Sequence, residues 1–280
     1  MNCFDGIKLL DDECIDCVIT SPPYWALRDY GTDSQLGLEK TADEFVESLM
    51  ILFNEIHRVL KPTGTCWVNI GDTYAGSGKG AWAGRNEETD RSKESFTFDQ
   101  KPEIEEDVNA KSLMMIPERF ALAMIKSQKW TLRNQLIWHK PNVKPETVKD
   151  RYTRDYEPIF FFVKNKNYYF KQQTEIGADG NYRNKRTVWS IHTSQYKGAH
   201  TAVFPPELLY GPIDAGCPPN GLILDPFMGS GTTAAVAKSK GKNFIGFELN
   251  SEYIKLAEER IANVQVRLDA ENRLNDIFEK

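Results

Sequence analysis

The chain has 280 residues, 40% of them apolar and 27% charged, the balance of a soluble protein with a real core and room for one large α/β domain. Against 35 Lys and Arg stand 40 Asp and Glu, a formal charge of −5, which argues against a generic nucleic-acid coat protein, although net charge averages over faces. No apolar run reaches the ~20 residues of a membrane span, and the acidic MNCFDGIKLLDDE stretch does not read as a signal peptide.

In chain order, Ile15–Thr20 (IDCVIT) reads as a short buried strand closed by Ser21-Pro22-Pro23. Phe45, Leu49, Leu52, Phe53, Ile56 and Leu60 recur at helical spacing, predicting a helix over 42–60. Thr41 and Glu44 are spaced as its capping box, and Lys61-Pro62-Thr63-Gly64 as its stop. Thr65–Ile70 is the next strand. Residues 71–80 are glycine-rich and 81–111 almost all polar, a long loop expected to be mobile when empty. A helix over 117–127 and strands over 132–138 and 158–164 (PIFFFVK) follow. Residues 172–197 are polar, aromatic and basic, with no clear element. A strand over 222–225, a helix over 232–239, a strand over 244–247 and a helix over 251–264 capped by Ser251 complete the chain. Alternating strands and helices predict a mostly parallel sheet covered on both faces.

The charge is unevenly spread. Residues 126–200 hold 15 basic and 6 acidic side chains, a balance of +9, leaving −14 for the rest. A basic middle in an acidic chain fits an anionic partner at one face, or a solvated basic surface. The five Cys lack framework spacing. Cys14 and Cys17 form one C-x-x-C with no second pair or His cluster, so reduced thiols in a cytosolic protein are expected, with no metal site.

Two loops carry the chemistry. Asp225-Pro-Phe-Met-Gly-Ser-Gly-Thr-Thr-Ala234 follows a strand and opens a helix. Its G-x-G-x-x-A spacing fits a dinucleotide, S-adenosylmethionine or a plain structural turn. Asp225 and Phe227 tilt that choice toward a cationic ligand, because a carboxylate suits an ammonium, a ring suits a sulfonium, and a pyrophosphate would be repelled. Glu248 lies 19 residues beyond Gly229 at the end of the next strand, where a carboxylate takes ribose hydroxyls. In the other loop, Thr20-Ser21-Pro22-Pro23-Tyr24-Trp25, two prolines fix two φ angles and remove two donors. The turn offers acceptors for an exocyclic amino group, and Tyr24 and Trp25 offer flat surfaces for a base. A proline-rich turn packed only for stability is the alternative for this motif alone.

Together these motifs resemble the amino-directed DNA methyltransferases, which methylate cytosine N4 or adenine N6 with S-adenosylmethionine. Ser21-Pro22-Pro23-Tyr24 is similar to the family's catalytic [DNS]-P-P-[YFW], and Asp225 to Thr233 to its cofactor loop. Catalytic motif first and cofactor loop last is the order of the β class. The resemblance implies a Rossmann-like α/β fold: a seven-stranded, mostly parallel, circularly permuted sheet with helices on both faces. It implies one methyltransferase domain over 1–280 with a small inserted target-recognition segment at 165–199. Catalysis would fall to Ser21, Pro22, Pro23 and Tyr24. The cofactor S-adenosylmethionine would be held by Asp5, Thr20, His200, Asp225, Phe227, Gly229, Ser230, Gly231, Thr232, Thr233 and Glu248. His200 sits where the class has an H-P-x-x-K-P motif, but the Lys is absent here.

The implied partner is double-stranded DNA with a flipped base, its phosphates held by Lys140, Lys144, Lys149, Arg151, Arg154, Arg183, Lys185 and Arg186. A cognate restriction endonuclease is a further implied partner, no membrane is involved, and the enzyme would act as a monomer or homodimer. Ser in the first motif position favours cytosine N4, with adenine N6 as the alternative. A non-catalytic DNA-binding module and an NAD-dependent dehydrogenase fit fewer of the motifs. A C5-cytosine enzyme needs Pro-Cys, whereas Cys217-Pro218 has the reverse order.

Overall fold

The computed structural model describes residues 1–26, 35–75, 108–193 and 204–264. Its elements are α1 (Cys3–Gly6), β1 (Ile15–Thr20), α2 (Ala42–Val59), β2 (Leu60–Asn69), α3 (Ile116–Lys126), β3 (Thr131–His139), β4 (Tyr156–Val163), β5 (Thr174–Ile176), β6 (Tyr182–Asn184), β7 (Val188–Ser190), α4 (Glu207–Gly216), β8 (Leu222–Asp225), α5 (Thr232–Ser239), β9 (Asn243–Gly246) and α6 (Ser251–Ala262).

Seven strands form one sheet in the order β7-β3-β4-β2-β1-β8-β9. All run in one direction except β4, which is antiparallel to both β2 and β3. The chain-terminal pair β8–β9 lies beside β1 from the start of the chain, so the permuted, mostly parallel sheet is the one expected. The sheet is buried because its side chains alternate between two apolar layers. Val18, Val68, Phe160 and Phe162 face α2 and α3. Cys17, Ile19, Trp67, Ile159 and Phe161 face α4 and α5. Phe161 stacks on Trp67 with centroids 4.0 Å apart and rings 3° from parallel. Each fully buried ring contributes ~1.5–3 kcal/mol by leaving water, so the PIFFFV run anchors both layers.

Local chemistry explains the element ends. The Thr41 hydroxyl accepts from the Glu44 N–H while Glu44 reaches back to the Thr41 N–H, a box worth ~1 kcal/mol. Helix α2 ends at Val59, and the following Lys-Pro-Thr-Gly is absorbed into β2 as a register shift between the Ile15–Leu60 and Cys17–Thr65 pairs. The strand therefore starts at Leu60 rather than Thr65. Asn250, not Ser251, caps α6, its side chain accepting from the Glu252 and Tyr253 N–H groups.

Two larger departures stand out. Helix α4 carries Pro212 in its interior, a residue that ordinarily breaks helical continuity. Residues 172–197, where no element was expected, hold the β5–β6 hairpin and β7, so the seventh strand of the main sheet comes from this segment. Of the 71–111 loop, residues 76–107 lie outside the described residues, as does His200.

Candidate active site

In an open α/β sheet, ligands gather outside the carboxyl ends of the strands where the order reverses. Ser21–Tyr24 leaves the carboxyl end of β1, the Asp225 loop leaves β8, and Glu248 follows β9. Because β1 and β8 pair directly, the two motifs meet. The Thr20 hydroxyl donates to Asp225 Oδ1 at 2.7 Å, and the Thr233 hydroxyl donates to Asp225 Oδ2 at 2.6 Å. The Phe227 N–H also reaches Asp225 Oδ1, at 3.1 Å.

Asp225 is 1% exposed. Burial pushes its carboxyl from 3.8 up to about 6; the hydrogen bonds from Thr233, Thr20 and Phe227 pull it back, and nearby Glu248 raises it further. Two carboxylates thus share this corner of the sheet. Glu248 closes the turn from the other side, accepting from the Gly229 N–H at 2.8 Å and the Asn250 N–H at 2.8 Å. The turn itself needs glycine at Gly231, where φ is +80° and a Cβ would sit 2.8 Å from the Ala257 Cβ of α6.

The remaining residues of the glycine loop divide by engagement. Thr232 and Thr233 are buried, with hydroxyls committed to Arg260 and Asp225. Ser230 is also buried, but its hydroxyl has no partner. Phe227 is half-buried at the rim of the core. Asp5 is exposed in the first turn of α1. Helix α1 lies at the end of β9: the Met1 ammonium donates to the Glu248 carbonyl at 2.6 Å, and a Cβ on Gly6 would meet the Phe247 ring at 2.5 Å, which brings Asp5 to the Glu248 side of the site.

Over residues 15–259 the chain matches the family described as DNA methylase, of the N6/N4 type. The chain belongs to the N6/N4 DNA methylase family. It is 41% identical over 261 residues to the Type II methyltransferase M.SmaI of Serratia marcescens, covering 92% of this chain and 87% of that protein. It is 40% identical over 257 residues to M.Cfr9I of Citrobacter freundii, with 91% and 84% covered. Among solved structures, the fold matches PvuII DNA methyltransferase (cytosine-N4-specific) with a TM-score of 0.67 at 20% identity, over 100% of this chain and 89% of the other. It also matches a DNA modification methylase from Thermus thermophilus complexed with S-adenosyl-L-methionine, with a TM-score of 0.59 at 21% identity over 93% and 90%.

The Ser-Pro-Pro-Tyr turn of this methylase is only partly accessible. Pro22 is buried and Ser21, Pro23 and Tyr24 are half-buried. Trp25 is not a surface for a base: it is 5% exposed, and its indole N–H donates to the Glu39 carbonyl at 2.9 Å. Tyr24 lies against Gly71, where a Cβ would come within 2.3 Å of Tyr24 Cε2. Its phenol reaches Glu157 Oε2 at 2.8 Å and Asn69 Oδ1 at 3.3 Å.

Sequence reasoning missed Glu157 and Asn69. Strand β4 enters the sheet at the Tyr24 end because it runs antiparallel, so its first residues lie beside Trp138, His139 and Asn69. The legible signal was a lone carboxylate opening an otherwise apolar strand. Asp72 was missed as well. Its carboxylate accepts from the Met115 and Ile116 N–H groups and caps α3, and burial raises its carboxyl.

The basic residues expected on DNA part company. Lys144 and Lys149 are exposed on the 140–155 connection, which joins β3 to β4 at the Tyr24 end of the sheet. Lys140 instead turns inward to Glu157, 15% exposed, with its ammonium 4.4 Å from the Trp138 ring centroid. Arg154 donates to the Asp72 carbonyl, and Arg151 pairs with Glu146 over the Tyr74 ring. Arg183 and Arg186 share Glu175 within the β5–β6 region, and Lys185 lies over Trp189. That segment leaves the sheet at the end away from Tyr24, where the Tyr169 N–H donates to the Thr63 carbonyl and the Lys171 N–H to the Ala215 carbonyl, and returns through β7 to the Tyr24 end, where Trp189 pairs with Trp138 and Ser190 with His139.

Proposed function

We propose that this methylase is site-specific and transfers a methyl group from S-adenosylmethionine to the N4 amino group of a cytosine flipped out of double-stranded DNA. The single observation that carries the reading is the Thr20–Asp225 hydrogen bond at 2.7 Å, which fastens an amino-group turn beside a loop suited to a cationic ligand. The residues present fit S-adenosylmethionine. Asp225 and Glu248 bring two carboxylates to one corner, and Glu248 raises Asp225, so a ligand bearing positive charge relieves the repulsion. The Ser230 hydroxyl is buried with its hydrogen-bonding capacity unspent. Phe227 supplies a ring for a sulfonium, and Glu248 is the acceptor for a ribose.

When bound, S-adenosylmethionine supplies the methyl group on its sulfonium. The chain's own contribution is position. The Pro22 carbonyl and the Ser21 hydroxyl accept hydrogen bonds from the two N–H groups of the exocyclic amine, turning its lone pair out of conjugation with the ring; as the N–CH3 bond forms and the S–CH3 bond breaks, the nitrogen releases one of these protons to solvent. Tyr24 stacks on the flipped base, replacing the stacking lost on leaving the duplex at a cost of a few kcal/mol. No side chain needs to form a covalent bond to the base; orientation alone can supply up to ~7–11 kcal/mol.

Lys144 and Lys149 hold phosphates beside the flipped base. Residues 165–199 read the target, and the enzyme works in the cytoplasm with a cognate restriction endonuclease as its natural counterpart. Among the described residues no helix is long and apolar enough to cross a membrane. The choice of cytosine N4 rests on Ser21 in the first motif position. Expression in an unmethylated host, digestion of the DNA to nucleosides and mass spectrometry test it. N4-methylcytosine is expected, and N6-methyladenine as the sole product overturns the choice of atom.

A further inference from the structure

The strongest unassigned feature is a buried polar chain behind Tyr24. The Tyr24 phenol donates to Glu157 Oε2 at 2.8 Å, and the other carboxylate oxygen, Oε1, takes the Lys140 ammonium. Glu157 is 9% exposed, and the Lys140 side chain is 15% exposed with its ammonium over the Trp138 ring. Asn69 lies second in reach of the same phenol at 3.3 Å, and its own amide donates to the Pro158 carbonyl at 3.1 Å, which fixes it to β4.

A phenol has one hydrogen to donate. The shorter bond goes to an ionised acceptor, and charge-assisted bonds are the stronger kind. A carboxylate removed from water is retained only when it is paired, and Lys140 does the pairing. The whole arrangement stands on β4, whose antiparallel run brings Glu157 opposite Trp138 at the catalytic end of the sheet. From the far side, Gly71 gives the ring its seat. Tyr24 is therefore held at two places, one ring face against Gly71 and its hydroxyl on Glu157.

We propose that Glu157 is a positioning residue for methyl transfer: held by Lys140, it anchors the Tyr24 hydroxyl and so fixes the ring plane on which the flipped base stacks. This rests on the reading of Tyr24 as the stacking surface. It also moves Lys140 from the DNA phosphates to the interior, where its charge serves Glu157. Glu157 touches neither base nor cofactor in this role; it acts only through Tyr24.

The test is a set of four variants, Tyr24→Phe, Glu157→Gln, their double and Tyr24→Ala, assayed for kcat and for the KM of S-adenosylmethionine on cognate DNA. Tyr24→Phe and Glu157→Gln are each expected to lower kcat by roughly tenfold, the scale of one net hydrogen bond to a charged group, with the cofactor KM unchanged. The double variant is expected to be no worse than the worse single one, because both remove the same bond. Effects that multiply, or wild-type turnover in Tyr24→Phe, overturn the inference. Tyr24→Phe removes the bond without disturbing the buried charge, so it decides the matter even where Glu157→Gln fails to fold. Wild-type turnover in Tyr24→Ala would instead remove Tyr24 from the site and with it the stacking role.

Discussion

Thr20 and Asp225 stand 205 residues apart in sequence and 2.7 Å apart in space. Thr20 is the last residue of β1 and Asp225 the last of β8, so a single side-chain bond spans the boundary between the Ser-Pro-Pro-Tyr turn and the glycine loop. Both ends are buried. A shift of either strand would misalign the two motifs, and methyl transfer depends on their alignment. Asp225 is thus a structural hinge-pin as well as a candidate cofactor contact, and its removal affects both roles.

The pH dependence of Asp225 separates them. Its native carboxyl lies at about 6 against an ordinary 3.8, so between those values the folded chain binds more protons than the unfolded one. Stability from this group is full below 3.8 and is lost as pH rises through about 6, at a cost on the order of 3 kcal/mol above it. Asp225→Asn removes that loss. Denaturant melts should show wild type losing stability relative to Asp225→Asn as pH rises across this window, then holding level. A cationic cofactor favours the ionised form, so S-adenosylmethionine affinity by calorimetry should rise with pH through about 6 in wild type and stay flat in Asp225→Asn. Stability rising with pH relative to Asp225→Asn would contradict the shift.

Gly71→Ala tests the seat of Tyr24. A methyl group there meets the ring at 2.3 Å, closer than side-chain atoms approach, so the ring must tilt. Turnover should fall by at least about tenfold, since small displacements at a reacting centre can cost up to about a hundredfold, while cofactor affinity and melting temperature change little. A loss confined to cofactor affinity would place the effect elsewhere.

The sheet and both loops were legible in the sequence because buried strands write themselves as apolar runs and the two turns carry Gly and Pro at fixed places. Strands 15–20 and 222–225 and helix 232–239 have the expected bounds. What escaped depends on distant partners. Helix α4 hides behind Pro212, whose cost is offset by tertiary burial of Leu208, Leu209 and Ile213. Strand β7 is three residues long and found only through its pairing with β3. Glu157 looked like any acid until Tyr24, 133 residues away, was brought to it. Trp25 looked like a base platform, but its indole is spent on the core side.

The cysteines give a chemical check on the non-covalent mechanism. Cys3, Cys17, Cys66 and Cys217 are buried, and burial pushes the Cys217 thiol up to about 12 and those of Cys17 and Cys66 well above the ordinary range. Only Cys14 is partly accessible. The thiolate is the reactive form, so iodoacetamide on the native protein near neutral pH should label Cys14 alone and leave methyl transfer intact, with all five labelled after denaturation. Inactivation that tracks labelling of Cys217 would revive a cysteine nucleophile.

The salt dependence of DNA binding distinguishes surface from interior lysines. Each phosphate contact contributes ~0.9 to the slope of log K against log salt. Lys144 and Lys149 are exposed over the catalytic end and, among the described residues, make no ion pair, whereas Lys140 is paired with Glu157. Lys144→Ala and Lys149→Ala should each lower the slope by about 0.9 and weaken cognate and unrelated duplexes alike. Lys140→Gln should leave the slope unchanged and lower kcat instead, because its charge never meets a phosphate. Filter-binding or anisotropy titrations at several salt concentrations read the first quantity and steady-state methylation the second. A slope that falls in Lys140→Gln and stays fixed in the other two would return Lys140 to the DNA and leave Glu157 without its counter-charge.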